Sequence, residues 1–276
     1  MPSQSRSPER LRHHYDVERE LAAKMRLSSR EERTELFKTL YTELYEQIPD
    51  HPRFTRRDTP AQSKANVEKQ FLLISPHLKP AMTFLEMAPG DCRLALEASK
   101  HCANVIGVDI SNQSDPEETF PDNFKLIVYD GYLLDAVPDN SIDIIFSYQF
   151  LEHLHPDDVP LHFDLASRLL KPGGIYILDT PHKFSGPHDI SRYFGGQLDC
   201  FHFQEWTIHG LKKNLYQHGF DKAWVYRFGH VHKSRAFNLA TSIIESLTRI
   251  LPRPLRKYIS RKIFLSVALM ARRPLQ

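Results

Sequence analysis

Three carboxylates and one small-residue turn within residues 83–131 have the types and order needed to cradle a nucleoside ligand. Glu86 precedes a turn made of Ala88, Pro89, Gly90, Asp91 and Cys92. Small side chains there let a strand reverse into a helix with its backbone close to a ligand. Asp109 ends a second apolar run, at about the 20-residue spacing at which a strand-end acid binds ribose hydroxyls. A third run, residues 124–129, leads into Asp130 and Gly131. A dinucleotide fingerprint needs glycines spaced G-x-G-x-x-G, so that pyrophosphate lies on the helix N-terminus. Here those positions hold Ala88, Gly90 and Arg93. Arg93 is too bulky for that scheme, and Glu86 would repel a pyrophosphate while suiting a cationic amino group. Taken singly, Asp109 and Asp130 also read as ordinary turn acids.

Proton-transfer chemistry has its own candidates. A fourth apolar run, residues 142–146, continues through Ser147, Tyr148 and Gln149 to Glu152 and His153, and the loop at 180–193 carries His182, His188, Asp189, Arg192 and Tyr193. Histidine suits the removal of a proton from a hydroxyl or phenol near neutral pH. His188 and His153 are therefore the candidate catalytic bases, and His182, Asp189, Arg192 and Tyr193 the candidate acceptor-facing residues. Among 15 histidines, each also has a plain structural reading. No metal site is expected, because no Asp/Asn cluster follows the fourth strand. Cys92, Cys102 and Cys200 lack metal-ligand or disulfide-framework spacing.

In order, these landmarks resemble the class I S-adenosylmethionine-dependent methyltransferases. The likeness rests on the acid and small-residue turn at 86–92, Asp109, Asp130, the LEH at 151–153 and LLKPGGIYILD at 169–179. Ala88 and Cys92 stand where that family usually has glycine. The pattern TP-x-x-x-SGPHD-x-S-R at 180–192 and YTELYEQIPDHP at 41–52 resemble a type 11/25-like bacterial subgroup. The resemblance implies S-adenosylmethionine as cofactor, held by Glu86, Ala88, Pro89, Gly90, Asp109, Ile110, Asp130, Gly131 and Ser147. Asp109 would meet the ribose and Asp130 the adenine amino group. It further implies methyl transfer to an oxygen, carbon or nitrogen of a small molecule, a lipid or glycan precursor included. The D/N-P-P-Y pattern of nucleic-acid base methylation is missing after the fourth strand. Two other readings stay open: an NAD(P)-dependent Rossmann oxidoreductase, and a non-catalytic methyltransferase-like binding scaffold.

The elements that must position these residues follow from periodicity. Strand-like runs alternate with helices from 83 to 179, which predicts an α/β fold: a Rossmann-like, mostly parallel seven-stranded sheet with helices on both faces. Ligands then bind at the carboxyl ends of the strands. Residues 1–78 read as a helical extension capping a methyltransferase domain at 79–276. Leu36, Phe37, Leu40, Tyr41, Leu44, Tyr45 and Ile48 form one helical face, with Ser29 and Glu32 as a capping box. Thr59, Pro60 and Gln62 open another helix. The first ten residues are expected to lack structure. A helix at about 204–218, a strand at 223–228 and a helical insertion at about 233–262 precede a last strand at 263–270, while KPGG at 171–174 reads as a turn.

At 41% hydrophobic and 25% charged residues, the 276-residue chain reads as globular. Its reduced cysteines and lack of a secretory apolar core fit the cytoplasm. The net charge of +2 conceals an asymmetry: residues 246–276 hold eight of the 36 Lys and Arg and none of the 34 acids. In the insertion, Leu255, Tyr258, Ile259 and Ile263 share a face opposite Arg256, Lys257, Arg261 and Lys262. Such a helix can lie peripherally on an anionic membrane or dock on the core with a solvated basic back. RNA contact is disfavoured because no aromatic-interleaved basic motif accompanies it.

Overall fold

The computed structural model describes residues 6–52 and 59–275. Of the ten N-terminal residues, 1–5 lie outside that range, whereas Ser7 already caps a helix, α1 (Pro8–Leu27), by accepting from Arg10 N. The capping box forms as expected at α2 (Arg30–Gln47), with Ser29 and Glu32 each satisfying the other's backbone N–H. The predicted apolar face of α2 packs on Val17, Leu21, Ala22 and Met25 of α1 and on Phe201 and Phe203. α3 (Pro60–Ile74) starts at the Thr59 cap, which accepts from Gln62 N.

The sheet follows: β1 (Thr83–Met87), β2 (Asn104–Asp109), β3 (Phe124–Val128), β4 (Ile142–Tyr148), β5 (Leu170–Pro181), β6 (Lys222–Arg227), β7 (His230–His232) and β8 (Ser266–Arg272). Its order is β3-β2-β1-β4-β5-β8-β6-β7. The first five strands are parallel, β8 runs antiparallel to β5 and β6, and β7 closes a hairpin with β6. The sheet thus has eight strands rather than the expected seven; the extra one is a three-residue edge strand, too short to leave an alternating pattern. KPGG is not a free turn. It lies inside β5 as a bulge, where the register against β4 shifts between Ile142 and Ile144.

Both faces of the sheet are covered, and strand alternation decides which side chain goes where. Leu85, Ile145 and Leu178 join Phe163 and Leu169 of α5 (Asp158–Leu169) and Leu211 and Leu215 of α6 (Ile208–Gln217). Their neighbours Phe84, Ile144, Phe146 and Ile177 join Leu94, Ala95 and Ala98 of α4 (Arg93–Ser99), with Ile74 at the end of α3. Because β1 lies between β2 and β4, successive connections leave it in opposite directions, which opens a crevice at its carboxyl end.

The insertion forms α7 (Arg235–Arg249) and α8 (Arg253–Ile263). α7 is inverted relative to an ordinary surface helix. Its polar Thr241, Glu245 and Thr248, spaced i, i+4, i+7, face the body, while Leu239, Ile243, Leu247 and the following Ile250 are exposed. On α8, Leu255 and Tyr258 are exposed too, so the apolar face expected there is only partly docked. No described helix is long and apolar enough to cross a membrane.

The N-terminal helices are fastened to the sheet domain by a buried ion pair. Arg33 of α2 makes a two-point contact with Asp158 at the start of α5, at 2.8 and 2.7 Å, and Tyr132 Oη donates to the same carboxylate. Removing one partner of such a pair strands a buried charge and costs about 3–5 kcal/mol. Urea unfolding of Arg33→Met should show a loss of that size, with part of it recovered in the Arg33→Met/Asp158→Leu double variant. A single variant as stable as the parent would mean the latch carries little.

Candidate active site

At the carboxyl end of β1 the chain takes a left-handed conformation three times in five residues: φ is 54° at Ala88, 59° at Gly90 and 61° at Cys92. Glycine is favoured at such a turn by backbone angle as well as by bulk. L-residues accept that region at about 1–2 kcal/mol each. Asp109, at the end of β2, stabilises the turn, its Oδ2 accepting from Gly90 N at 3.2 Å and its Oδ1 from Ser111 N at 3.2 Å.

Glu86 is buried beneath this turn, 4% exposed, and its Oε2 has no hydrogen-bond partner. Burial, with the negative charges of Asp91 and Asp109, raises its pKa to about 8. A buried acid with an orphaned oxygen beside a wide backbone turn is fitted to receive a cation. Glu86, Ala88, Pro89, Gly90, Asp109, Ile110 and Gly131 all line one cleft of about 2590 Å³ at the strand ends.

Three expected site residues lie elsewhere. Asp130 is exposed and outside the cleft lining; its Oδ1 accepts from Tyr132 N and Leu133 N at 2.8 and 2.7 Å, so it fixes a turn. Ser147 is buried, its Oγ 2.7 Å from Tyr176 Oη, which in turn lies 2.8 Å from His162 Nε2. His182 is fully buried, stacked on Phe264 at 4.7 Å with Nε2 2.7 Å from Glu245 Oε1, and is a core histidine.

His153, His188, Asp189, Arg192 and Tyr193 do line the cleft. The group that orients His188 is Glu205, and its neighbour Asp189 instead accepts from Ser191 N. Glu205 Oε1 lies 2.7 Å from His188 N, 3.2 Å from His188 Nδ1 and 3.0 Å from His202 Nδ1. Burial would raise the Glu205 pKa, yet the contacts from the two histidines hold it at about 2. Gly186 makes room for it: a Cβ there would fall 1.8 Å from Glu205 Oε2.

Glu152, His202 and Glu205 were not singled out by sequence reasoning. Glu152 is fully buried, with Oε2 accepting from Thr180 Oγ1 at 2.9 Å and Oε1 without a hydrogen-bond partner. Burial raises its pKa to about 7, against the pull of His202. His153 Nδ1 lies 3.0 Å from Phe201 O, and its ring meets that of His202 edge-on at 5.0 Å. The local signals were the LEH at 151–153, which carries Glu152, and the i, i+3 spacing of His202 and Glu205.

Known proteins share this fold. Residues 85–178 match a family model described as a methyltransferase domain. An Aspergillus luteorubrus protein named "Probable methyltransferase ltbC" is 29% identical over 170 residues, 55% of this chain and 57% of that protein. A Mycolicibacterium smegmatis S-adenosylmethionine-dependent methyltransferase, itself so named as probable, is 31% identical over 87 residues, 31% of each chain. The matches thus take in about half, or less, of these relatives' lengths. The fold is shared with Burkholderia thailandensis 1,6-didemethyltoxoflavin-N1-methyltransferase, solved with bound 1,6-didemethyltoxoflavin and S-adenosylhomocysteine, at a TM-score of 0.55 and 15% identity over 90% of this chain and 92% of that one. Residues 85–178 thus form a methyltransferase domain, and the fold around it is that of the class I S-adenosylmethionine-dependent methyltransferases.

The state of Glu86 makes a pH prediction. Its pKa in the folded protein, about 8, exceeds the ordinary 4.5, so the native state holds the proton more tightly than the unfolded chain. The stability this provides is complete below pH 4.5 and is lost as pH rises through 8. Thermal melts of ligand-free Glu86→Gln should therefore fall less steeply with pH than those of the parent, and lie above them at alkaline pH. Parallel curves would contradict the assigned ionisation.

Proposed function

We propose that this chain binds S-adenosylmethionine between the 88–92 turn, Asp109 and Gly131, and transfers its methyl group to a small-molecule oxygen, nitrogen or carbon nucleophile in the adjoining part of the cleft. The observation that carries the reading is the orphaned, fully enclosed Glu86 oxygen beneath the turn, placed to receive the ligand's ammonium group. Asp109 keeps its role toward the ribose, whereas Asp130 and Ser147 have none at the cofactor in this arrangement. The bound cofactor supplies a methyl already activated on a sulfonium sulfur. The protein's work is then to align the acceptor, exclude water and take up a proton. His188, backed by Glu205, is the base we assign for a hydroxyl or phenol acceptor. Arg192, Tyr193 and Asp189 would bind the acceptor's polar groups.

In this reading residues 1–78 cap the domain at 79–276. Leu11 and His14 of α1, Phe37 and Tyr41 of α2 and Gln62, Ser63 and Lys69 of α3 all line the same cleft. The acceptor would be enclosed between these helices and the 188–202 segment.

Calorimetric titration with S-adenosylhomocysteine tests the cofactor assignment. The parent should bind it. Asp109→Asn, which retains an acceptor for Gly90 N, should bind about 1–3 kcal/mol more weakly through loss of the charge-assisted contact. Binding of NAD in place of S-adenosylhomocysteine would return the chain to the oxidoreductase reading. The acceptor itself would emerge from comparing metabolites of deletion and overexpression strains for a methyl-sized mass difference.

A second surface concerns location. The outward apolar residues of α7 adjoin Arg249, Arg253, Arg256 and Lys257 in a segment without acids, which favours an anionic lipid surface over another protein face. We assign this face to peripheral membrane contact. The chain should sediment with phosphatidylserine vesicles at low salt and be released at high salt, and Ile243→Glu/Leu247→Glu should stay in solution. Failure to sediment at low salt would overturn the assignment. So would self-association of the parent abolished by the same double substitution.

A further inference from the structure

We propose that Glu152, His153 and His202 form a binding site for a divalent first-row transition metal at the acceptor end of the cleft, leaving a coordination position open for the acceptor's oxygen. The proposal deepens the methyltransferase reading and rests on it for its chemistry, though not for its existence as a site. One ligand atom from each residue lies within 4.8 Å of the others, and all three residues line the cleft. Ligands around a zinc-sized ion bonded at about 2.1 Å sit roughly 3.4 Å apart in a tetrahedron, so the set would draw in to hold an ion.

The hydrogen bonding around the three residues is already that of metal ligands. A histidine that binds a metal through one nitrogen characteristically gives the other N–H to a carbonyl or carboxylate, which fixes the ring and its tautomer. His153 Nδ1 lies 3.0 Å from the Phe201 carbonyl, and His202 Nδ1 lies 3.0 Å from the Glu205 carboxylate. With Nδ1 engaged in each ring, Nε2 is the nitrogen that would face the metal. Glu152 supplies the independent observation: fully buried, held at Oε2 by Thr180, with Oε1 lacking a hydrogen-bond partner. Two histidines and one carboxylate with an open position are the donor set of catalytic zinc and of non-haem iron(II).

A second cluster, His14, Glu18 and His51, is comparably close but differently wired. The Arg6 guanidinium lies 2.6 Å from His14 Nδ1, so that nitrogen is the acceptor and Nε2 carries the hydrogen. A permanent cation beside the cluster also opposes a second one. Those residues serve as an ion-paired fastening within the N-terminal helices.

At the proposed site the metal would act as a Lewis acid on a bound hydroxyl or phenol. The acceptor's O–H bond breaks with its proton passing to His188. An oxygen lone pair then forms the bond to the methyl carbon, and the carbon–sulfur pair leaves with S-adenosylhomocysteine. Proton, electrons and leaving group balance without an oxidant or reductant.

The test uses the full chain stripped with a chelator and titrated with Zn2+ alone, and with Co2+ as a spectroscopic probe. One tight site is expected, weakened at least tenfold in His202→Ala and in Glu152→Gln, while both variants keep their affinity for S-adenosylhomocysteine. That retained affinity shows that the variants fold. Metal binding without S-adenosylhomocysteine binding would uphold the metal site while removing the methyltransferase reading. A parent that binds S-adenosylhomocysteine but neither metal overturns the metal site alone. Binding that is unchanged in His202→Ala and lost in His14→Ala also overturns it, by placing the ion in the other cluster.

Discussion

The left-handed backbone at Ala88, Gly90 and Cys92 is the constraint around which the rest is arranged. A strand inside a parallel sheet cannot offer its backbone N–H groups to a ligand, because they belong to the ladder. Turning three alternate residues into a rarely used region takes the chain off the sheet at once and opens a concave backbone above Glu86. That geometry is unfavourable for Ala and Cys, so something must hold it. Asp109 does so from the next strand through Gly90 N, and Cys92, fully buried, is fixed by packing among Leu94, Ala95 and Phe84. The parallel pairing of β1 with β2 is thus what brings the acid to the turn.

Carboxylates in this cleft differ in ionisation because their partners differ. Glu86 and Glu152 are deeply buried, have one unpartnered oxygen each, and hold protons far more tightly than a free carboxylate. Glu205 is equally hidden from solvent, but meets two imidazoles and a backbone N–H and remains ionised. Desolvation is common to all three, so the contrast comes from the hydrogen-bond donors. Glu86 and Glu152 therefore each lack a cation, while Glu205 is a fixed negative charge that aligns two histidines.

The sequence was most informative where pattern is local. Apolar runs between helical stretches marked the strands, and Ser29-x-x-Glu32 and Thr59-x-x-Gln62 marked helix starts that the structure reproduces. The strand-end rule put Glu86, Asp109, Asp130 and Ser147 on one rim, of which Glu86 and Asp109 line the cleft and the other two do not. It gives the height of a residue in the sheet, but the two-residue period sets its face. Ser147 consequently points to Tyr176, and His182 turns into the core. Glu152, His153 and His202 are joined across some 50 residues by the path of the loop after β5, with Phe203 N bonded to Glu152 O. No local pattern encodes that closure. The inverted polarity of α7 was equally hidden, since an amphipathic period shows two faces without saying which one docks.

Glu245 gives that inverted docking a further meaning. Its carboxylate accepts from Ile208 N and His209 N, the first free amides of α6, at 2.6 and 2.9 Å, and from His182 Nε2. A core helix thus receives its N-terminal counter-charge from a segment that enters the chain almost 40 residues later. The 233–262 insertion is for that reason not an appendage that could be trimmed from a self-sufficient catalytic body. It completes a helix of the central fold, and the surface it carries outward is mechanically continuous with the strand that leads into the acceptor loop.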